Sequence, residues 1–241
     1  MRALSAQDVV QLWEWGQDKH SVDRALALLA RACPELPPEQ LQRLTIGQRN
    51  SRLLSLREVT LGPALNGFAT CAQCGAALEF TFEAGAIRLP EPDAPEYSLR
   101  VDGLTLRFRP VNSLDLATIV GLADAGAARL CLIECCLLEA TQDGRSLAAA
   151  ELPEPALAAL VDALAECDPQ AETRFRLTCA SCGHCWPVLF DIVSFFWTEL
   201  GARAERLLAQ VHTLARAYGW RETDILAMGE ARRPFYLEVV G

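Results

Sequence analysis

Cys71-Ala-Gln-Cys74-Gly75 and Cys179-Ala-Ser-Cys182-Gly183 are two copies of one pattern, C-x-x-C-G, with 104 residues between Cys74 and Cys179. Each copy is flanked by period-2 alternation. Leu78, Phe80 and Phe82 alternate with Glu79, Thr81 and Glu83 after the first. Phe175, Leu177 and Cys179 lead into the second, and Trp186, Val188 and Phe190 leave it. That periodicity predicts strands on either side of a tight turn. Two thiolates on such a turn cover two vertices of a tetrahedron around zinc, at about 2.3 Å from the metal. The glycine allows a positive φ, so that backbone amides can turn toward the sulfurs. Two turns of this kind make a closed four-cysteine site of Cys71, Cys74, Cys179 and Cys182, with one structural Zn2+ per chain and no open position for catalysis.

Other uses of the cysteines compete with this reading. A redox pair places its first cysteine at a helix N-terminus, which lowers the thiol pKa, whereas both pairs here lead into strands. The four could also be small buried residues without metal. His184 and Cys185 follow the second pair directly and are alternative ligands, although they fall in the outgoing strand. Loop closure over 104 residues costs about 4 kcal/mol in chain entropy. Structural zinc contributes about 10–16 kcal/mol in small peptides. The metal wins this comparison, and the segment between the pairs must leave and return at neighbouring points.

Working outward, the N-terminal sixty residues read as helices. Ser5 and Ser21 are expected N-caps, Pro37-Pro38 opens a third helix near Glu39, and Asn50 to Thr60 forms a fourth with Arg49, Arg52 and Arg57 outward or paired. Tyr97, Leu99 and Val101 alternate up to Asp102-Gly103, and Leu104, Leu106 and Phe108 alternate after it, a strong hairpin signal. Ser113 to Cys167 reads as helical, with a turn at Asp143-Gly144 and a break at Pro153-Pro155. A long apolar stripe from Phe196 to Tyr218 ends at Gly219, a natural helix stop. The expected fold is α+β and predominantly helical: helical N- and C-terminal regions (1–64 and 191–241) around a small zinc-ribbon-like antiparallel module. The first cysteine turn and hairpin take 65–110, an inserted helical region 111–170, and the second cysteine turn 171–190.

Composition narrows the function. The 241 residues carry 31 acids, 22 bases and 51% apolar residues, for a net charge of -9, which is globular rather than disordered. Residues 71–186 hold seventeen acids against eight bases, and nine of the ten cysteines. A polyanion is repelled by that segment, so no nucleic-acid partner is expected. No apolar run is long enough to span a membrane. Met1-Arg2-Ala3-Leu4-Ser5 leads into no secretory signal, so a cytoplasmic location is expected, and ten cysteines in that compartment point to metal or buried thiols. Cys131, Cys135 and Cys136 read as an apolar helix face. Cys33, Cys167, His20 and His212 are without partners that would make them catalytic. No nucleophile–base constellation, P-loop or dinucleotide fingerprint is present, and a non-enzymatic protein is expected.

Several segments in order carry a resemblance. They are Leu12-Trp-Glu-Trp-Gly16, Arg49 to Arg57 leading into Leu61-Gly-Pro63, and Cys71-Ala-Gln-Cys-Gly-Ala-Ala-Leu-Glu-Phe80. They continue with Leu106-Arg-Phe-Arg-Pro110, Ser113-Leu-Asp-Leu116, Cys179-Ala-Ser-Cys-Gly-His184 and Phe190-Asp-Ile-Val-Ser-Phe-Phe-Trp197. The last are Val211-His-Thr-Leu-Ala215, Tyr218-Gly-Trp-Arg-Glu222 and Tyr236-Leu-Glu-Val239. Together they resemble the baseplate proteins of bacterial contractile injection systems and myophage-like clusters, which are similar to the baseplate hub assembly proteins of T-even phages. The resemblance covers nearly the whole chain. It implies a non-enzymatic baseplate or hub component, or an assembly factor, of a contractile tail. Its partners would be other baseplate, hub, tube or spike proteins, and it would act in the cytoplasm during assembly or within the particle. The family's cysteine pairs map onto Cys71, Cys74, Cys179 and Cys182. Cys185 extends the second pair, and Pro234 falls in the expected last helix, where proline fits only the first turn. The alternative is a zinc-ribbon regulator that binds nucleic acid, which the acidic charge around the cysteines opposes.

Overall fold

The computed structural model describes residues 1–229 and 231–240. Four helices lead: α1 (Ala6–Trp15), α2 (Ser21–Ala32), α3 (Pro38–Gln42) and α4 (Ile46–Leu61). A hairpin of β1 (Ala64–Thr70) and β2 (Ala77–Glu83) follows, and then a second of β3 (Tyr97–Val101) and β4 (Leu104–Phe108). Next come α5 (Ser113–Ile119), α6 (Ala125–Cys136), β5 (Leu137–Gln142), β6 (Arg145–Ser146) and α7 (Glu154–Cys167). A further hairpin, β7 (Thr173–Thr178) and β8 (Cys185–Phe190), returns the chain to α8 (Ile192–Tyr218), α9 (Glu222–Leu226) and α10 (Arg232–Val240). The fold is therefore α+β, with helices dominant and small antiparallel sheets.

Helix starts follow local chemistry. Ser5 caps α1 in a capping box with Asp8, as its sequence position predicts. Asp8 is 5% exposed and also binds Arg2 at 2.6 Å and Arg31 at 2.9 Å. Against the cost of its burial, the Arg2 guanidinium and the Ser5 amide hold its carboxyl down at about 2. The second cap is His20 rather than Ser21: its Nδ1 accepts the Val22 amide at 3.3 Å. The fourth helix starts earlier than Asn50, because Thr45 and Gln48 form a capping box ahead of it. Pro234 is the third residue of α10 and so sits in its first turn, where no intrahelical donor is lost.

The main core lies between α1, α2, α4 and α8. Leu28, Leu29, Leu53, Leu54, Leu56, Phe196 and Leu200 are among its fully buried side chains. Helix α8 buries Phe196, Leu200, Ala204, Leu207, Val211 and Leu214 along one stripe and stops at Gly219, with φ 70°. A second core forms where β4, β5, α6 and α7 meet, around Leu104, Leu106, Phe108, Ile133, Ala140 and Leu160.

This second core corrects the sequence reading. The stretch from Ser113 to Cys167 is not helical throughout; it contains β5 and β6. Strands β3, β4, β5 and β6 form one four-stranded sheet in that order. The reason is turn chemistry: Asp143 and Gly144 both take positive φ (51° and 81°), as do Asp102 and Gly103 (48° and 77°). Both pairs make two-residue hairpin turns, and Leu106 pairs with Ala140 across the sheet.

Helix α4 grips the chain where it leaves and returns to the helical core. The Ile46 amide donates to the Val111 carbonyl at 2.9 Å. The Gly47 amide donates to the Asp168 carboxylate at 2.8 Å. Burial pushes the Asp168 carboxyl up, against the lowering effect of that amide. A Cβ on Gly47 would stand 1.8 Å from Asp168 Oδ1. Gly47→Ala must expel a buried carboxylate from its amide, so a loss of about 1–3 kcal/mol in unfolding free energy is expected by urea titration. An unchanged midpoint would show that the carboxylate relocates freely.

Candidate metal centre

The two cysteine turns are built alike. Each spans six residues between paired strands, from Thr70↔Ala77 in the first hairpin and Thr178↔Cys185 in the second. The Cys71 amide donates to the Ala76 carbonyl at 2.9 Å, and the Cys179 amide to the His184 carbonyl at 2.8 Å. Gly75 and Gly183 each donate to the first cysteine's carbonyl at 2.9 Å. Both glycines take positive φ, 74° and 72°, which a Cβ would strain.

Phenylalanines bring the two turns together. Phe80 and Phe82 on β2 meet Phe175 on β7, with ring centroids 5.7 and 5.2 Å apart. Phe82 meets Phe190 edge-on at 5.6 Å, and Phe190 continues to Phe195 at the start of α8. Gly67 sits opposite Phe80 in the register, and a Cβ there would lie 2.4 Å from the ring. The alternation that predicts these strands therefore also supplies the apolar face on which the hairpins dock.

The four sulfurs converge. Sγ of Cys71 is 3.7 Å from that of Cys182, and Sγ of Cys74 is 3.6 Å from that of Cys179. All four lie within 4.8 Å of one another. A tetrahedron with Zn–S bonds of 2.3 Å has edges of about 3.8 Å, so the two cross-hairpin separations are near a tetrahedral edge. The first cysteine of each pair is buried and the second exposed, as an approximate two-fold arrangement requires.

Electrostatics point the same way. The Cys182 amide pulls the Cys179 thiol down to about 6. Against the lowering effect of the His184 amide, desolvation and then the neighbouring sulfurs push Cys182 up to about 12. Four thiols this close cannot all ionise without a cation among them. The donor set suits a soft, tetrahedral metal and is compatible with a metal site.

Among the described residues no other group of three or more His, Cys, Asp or Glu side chains converges in this way. His184 and Cys185 stay outside the cluster. His184 stacks on Trp186 at 5.5 Å, and Cys185 Sγ contacts Thr178 at 3.2 Å. Cys131 and Cys135 lie on α6 beside the Thr118 hydroxyl, at 3.4 and 3.9 Å. Burial pushes Cys136 up to about 12 and Cys167 up to about 11, which leaves both thiols protonated. His212 is exposed on α8. Sequence reasoning missed the polar seam between α4 and the chain around α5 and β7. Arg49, Ser113, Gln170 and Thr173 are buried there, and Asn50 donates to the Gln170 carbonyl at 3.2 Å. Arg49, one of the arginines expected outside or paired, lies 6% exposed within this seam. Burial lowers its guanidinium to about 10, against the pull of Asp191 and Asp168.

Among the described residues no helix is long and apolar enough to cross a membrane. No curated protein and no solved structure gives a significant match to the chain. Residues 5–197 match the model of the family described as T4 bacteriophage base plate protein. They include all four converging cysteines, both hairpins that carry them and the helices that anchor them. The chain belongs to the T4 bacteriophage base plate protein family.

Proposed function

We propose that this chain is a non-enzymatic baseplate or hub component, or an assembly factor, of a contractile, phage-tail-like injection machine. In this reading a single structural Zn2+, held by Cys71, Cys74, Cys179 and Cys182, completes a zinc ribbon. The ribbon staples the two points between which the 104-residue segment departs and returns. The observation that carries the reading is the family match across residues 5–197. The cysteine geometry supports the metal. A four-thiolate shell is closed, so the ion serves architecture rather than catalysis. The partners are other baseplate, hub, tube or spike proteins, met in the cytoplasm during assembly and in the particle if the chain remains there.

Deletion of the gene tests the reading. Loss of complete particles by electron microscopy is expected, with free tubes or sheaths lacking baseplates. Wild-type protein should restore particles and Cys179→Ser should not. Intact, contracting particles in the deletion strain would contradict the role.

A further inference from the structure

We infer that the free edge of β3 receives an extended, arginine- or lysine-bearing segment of another protein chain, which adds to the sheet as a fifth strand.

The backbone supplies the first part of the site. Strand β3 lies at the edge of its sheet, paired only with β4. Val101 and Leu104 flank the two-residue turn and face each other, so they are the hydrogen-bonded pair that closes the hairpin. Counting back along the register, Leu99 with Leu106 and Tyr97 with Phe108 are the next hydrogen-bonded pairs. The amides and carbonyls of Ser98 and Arg100 therefore point away from β4, toward the open edge. An unpaired edge is a template for another strand.

A cleft of about 600 Å³ runs along this edge. Tyr97, Ser98 and Leu99 all line it. Successive strand residues point to opposite faces, so three in a row can line one cleft only where it wraps the strand's edge. The opposite wall comes from α7 and from the loop that holds Pro90 and Pro92. Those prolines have no amide to donate to β3, and the loop makes no backbone hydrogen bond to the strand. It frames the edge without pairing to it.

The side chains supply specificity. The floor is apolar, from Leu99 and Phe108. The rim carries Glu91, Asp93 and Glu166, and no lysine or arginine lines the cleft. Among the described residues none of these three carboxylates forms an ion pair. Asp93 accepts the Tyr97 hydroxyl at 2.8 Å, which fixes one wall of the cleft. A cationic side chain on alternate positions of an added strand would lay its apolar stem on the floor and its charge among the carboxylates. An acidic segment, or a second copy of this acidic chain, would meet like charge. The site uses neither the cysteine cluster nor a metal, and it stands independently of the role proposed above.

Short fluorescent peptides test it on the purified full chain. One alternates arginine with threonine, one replaces arginine by glutamate, and two carry the arginine sequence N-methylated on one or the other alternate set of amides. Saturable, salt-sensitive binding of the arginine peptide is expected, with none for the glutamate peptide. One N-methylated version should lose about tenfold or more in affinity while the other keeps it. Glu91→Arg with Glu166→Arg, both exposed positions, should lose a similar factor. Amide exchange should slow at Ser98 and Arg100 when the peptide binds. No saturable binding up to about 1 mM would overturn the assignment. So would equal retention by both N-methylated peptides, or exchange slowing confined to other elements. A concentration-dependent dimer that protects these amides without peptide would assign the edge to self-pairing instead.

Discussion

Cys71→Ser is expected to lower the unfolding free energy by about 4 kcal/mol or more and to drop Tm by about 10 °C. Without the proposed ion, a 104-residue closure rests on the phenylalanine contacts between β2 and β7 and on the polar seam at α4. Three remaining thiols around one point are a poorer site, and serine is a weak ligand for a soft metal. The damage should be local at first. Hydrogen exchange should quicken in β1, β2, β7 and β8, while the amides of α1, α2, α4 and α8 keep their protection, because that core is separately packed. A strong chelator should reproduce the same pattern in the wild-type chain. Uniform loss of protection would mean that the cluster nucleates the whole fold, and unchanged protection would mean that it does little.

Arg57→Ala is the second large effect, at about 3–5 kcal/mol. The Arg57 side chain is 3% exposed and makes a two-pronged contact with Glu199, Nε to Oε2 at 2.8 Å and Nη2 to Oε1 at 2.6 Å. Its Nη1 also donates to the Gly62 carbonyl at 2.5 Å. One guanidinium thus ties the end of α4, the turn into β1 and the first third of α8. Truncation strands a partly buried carboxylate and an unsatisfied carbonyl, which costs more than the pair itself contributes. Arg57→Lys should recover little, since an ammonium cannot reproduce the fork. Arg57→Met combined with Glu199→Leu removes both charges and should recover most of the loss. Urea midpoints of the four proteins check this, and equal midpoints for Arg57→Ala and the double variant would refute the buried-charge explanation.

Much of the fold was legible because periodicity and turn residues agreed. The stripe on α8, the cap at Ser5, the Asp102-Gly103 hairpin and the stop at Gly219 all stand where local chemistry puts them. The cysteine spacing was enough to propose which four sulfurs meet, because C-x-x-C-G fixes a turn and strand alternation fixes its flanks. Strand β5 was not legible. Leu137–Gln142 follows directly on α6 without a proline or glycine between them, and its strand character comes from pairing with β4 rather than from its own pattern. Partners far apart in sequence were also hidden. Nothing local in Arg57 names Glu199, and nothing in Gly47 names Asp168, since each pair is made by packing α4 against distant segments. Trp13 and Trp197 are both partly buried against the main core, and Arg24 lies over the Trp197 ring at 4.7 Å. Arg233 on α10 is buried and donates to the Met228 carbonyl at 2.9 Å.

Metal content measured by mass spectrometry on tag-free protein tests the central proposal most directly. About one zinc per chain is expected. That zinc should be absent from Cys179→Ser and retained in Cys185→Ser, because Cys185 lies outside the sulfur cluster. Fully folded wild-type protein without bound metal, its four thiols free to react, would contradict the account.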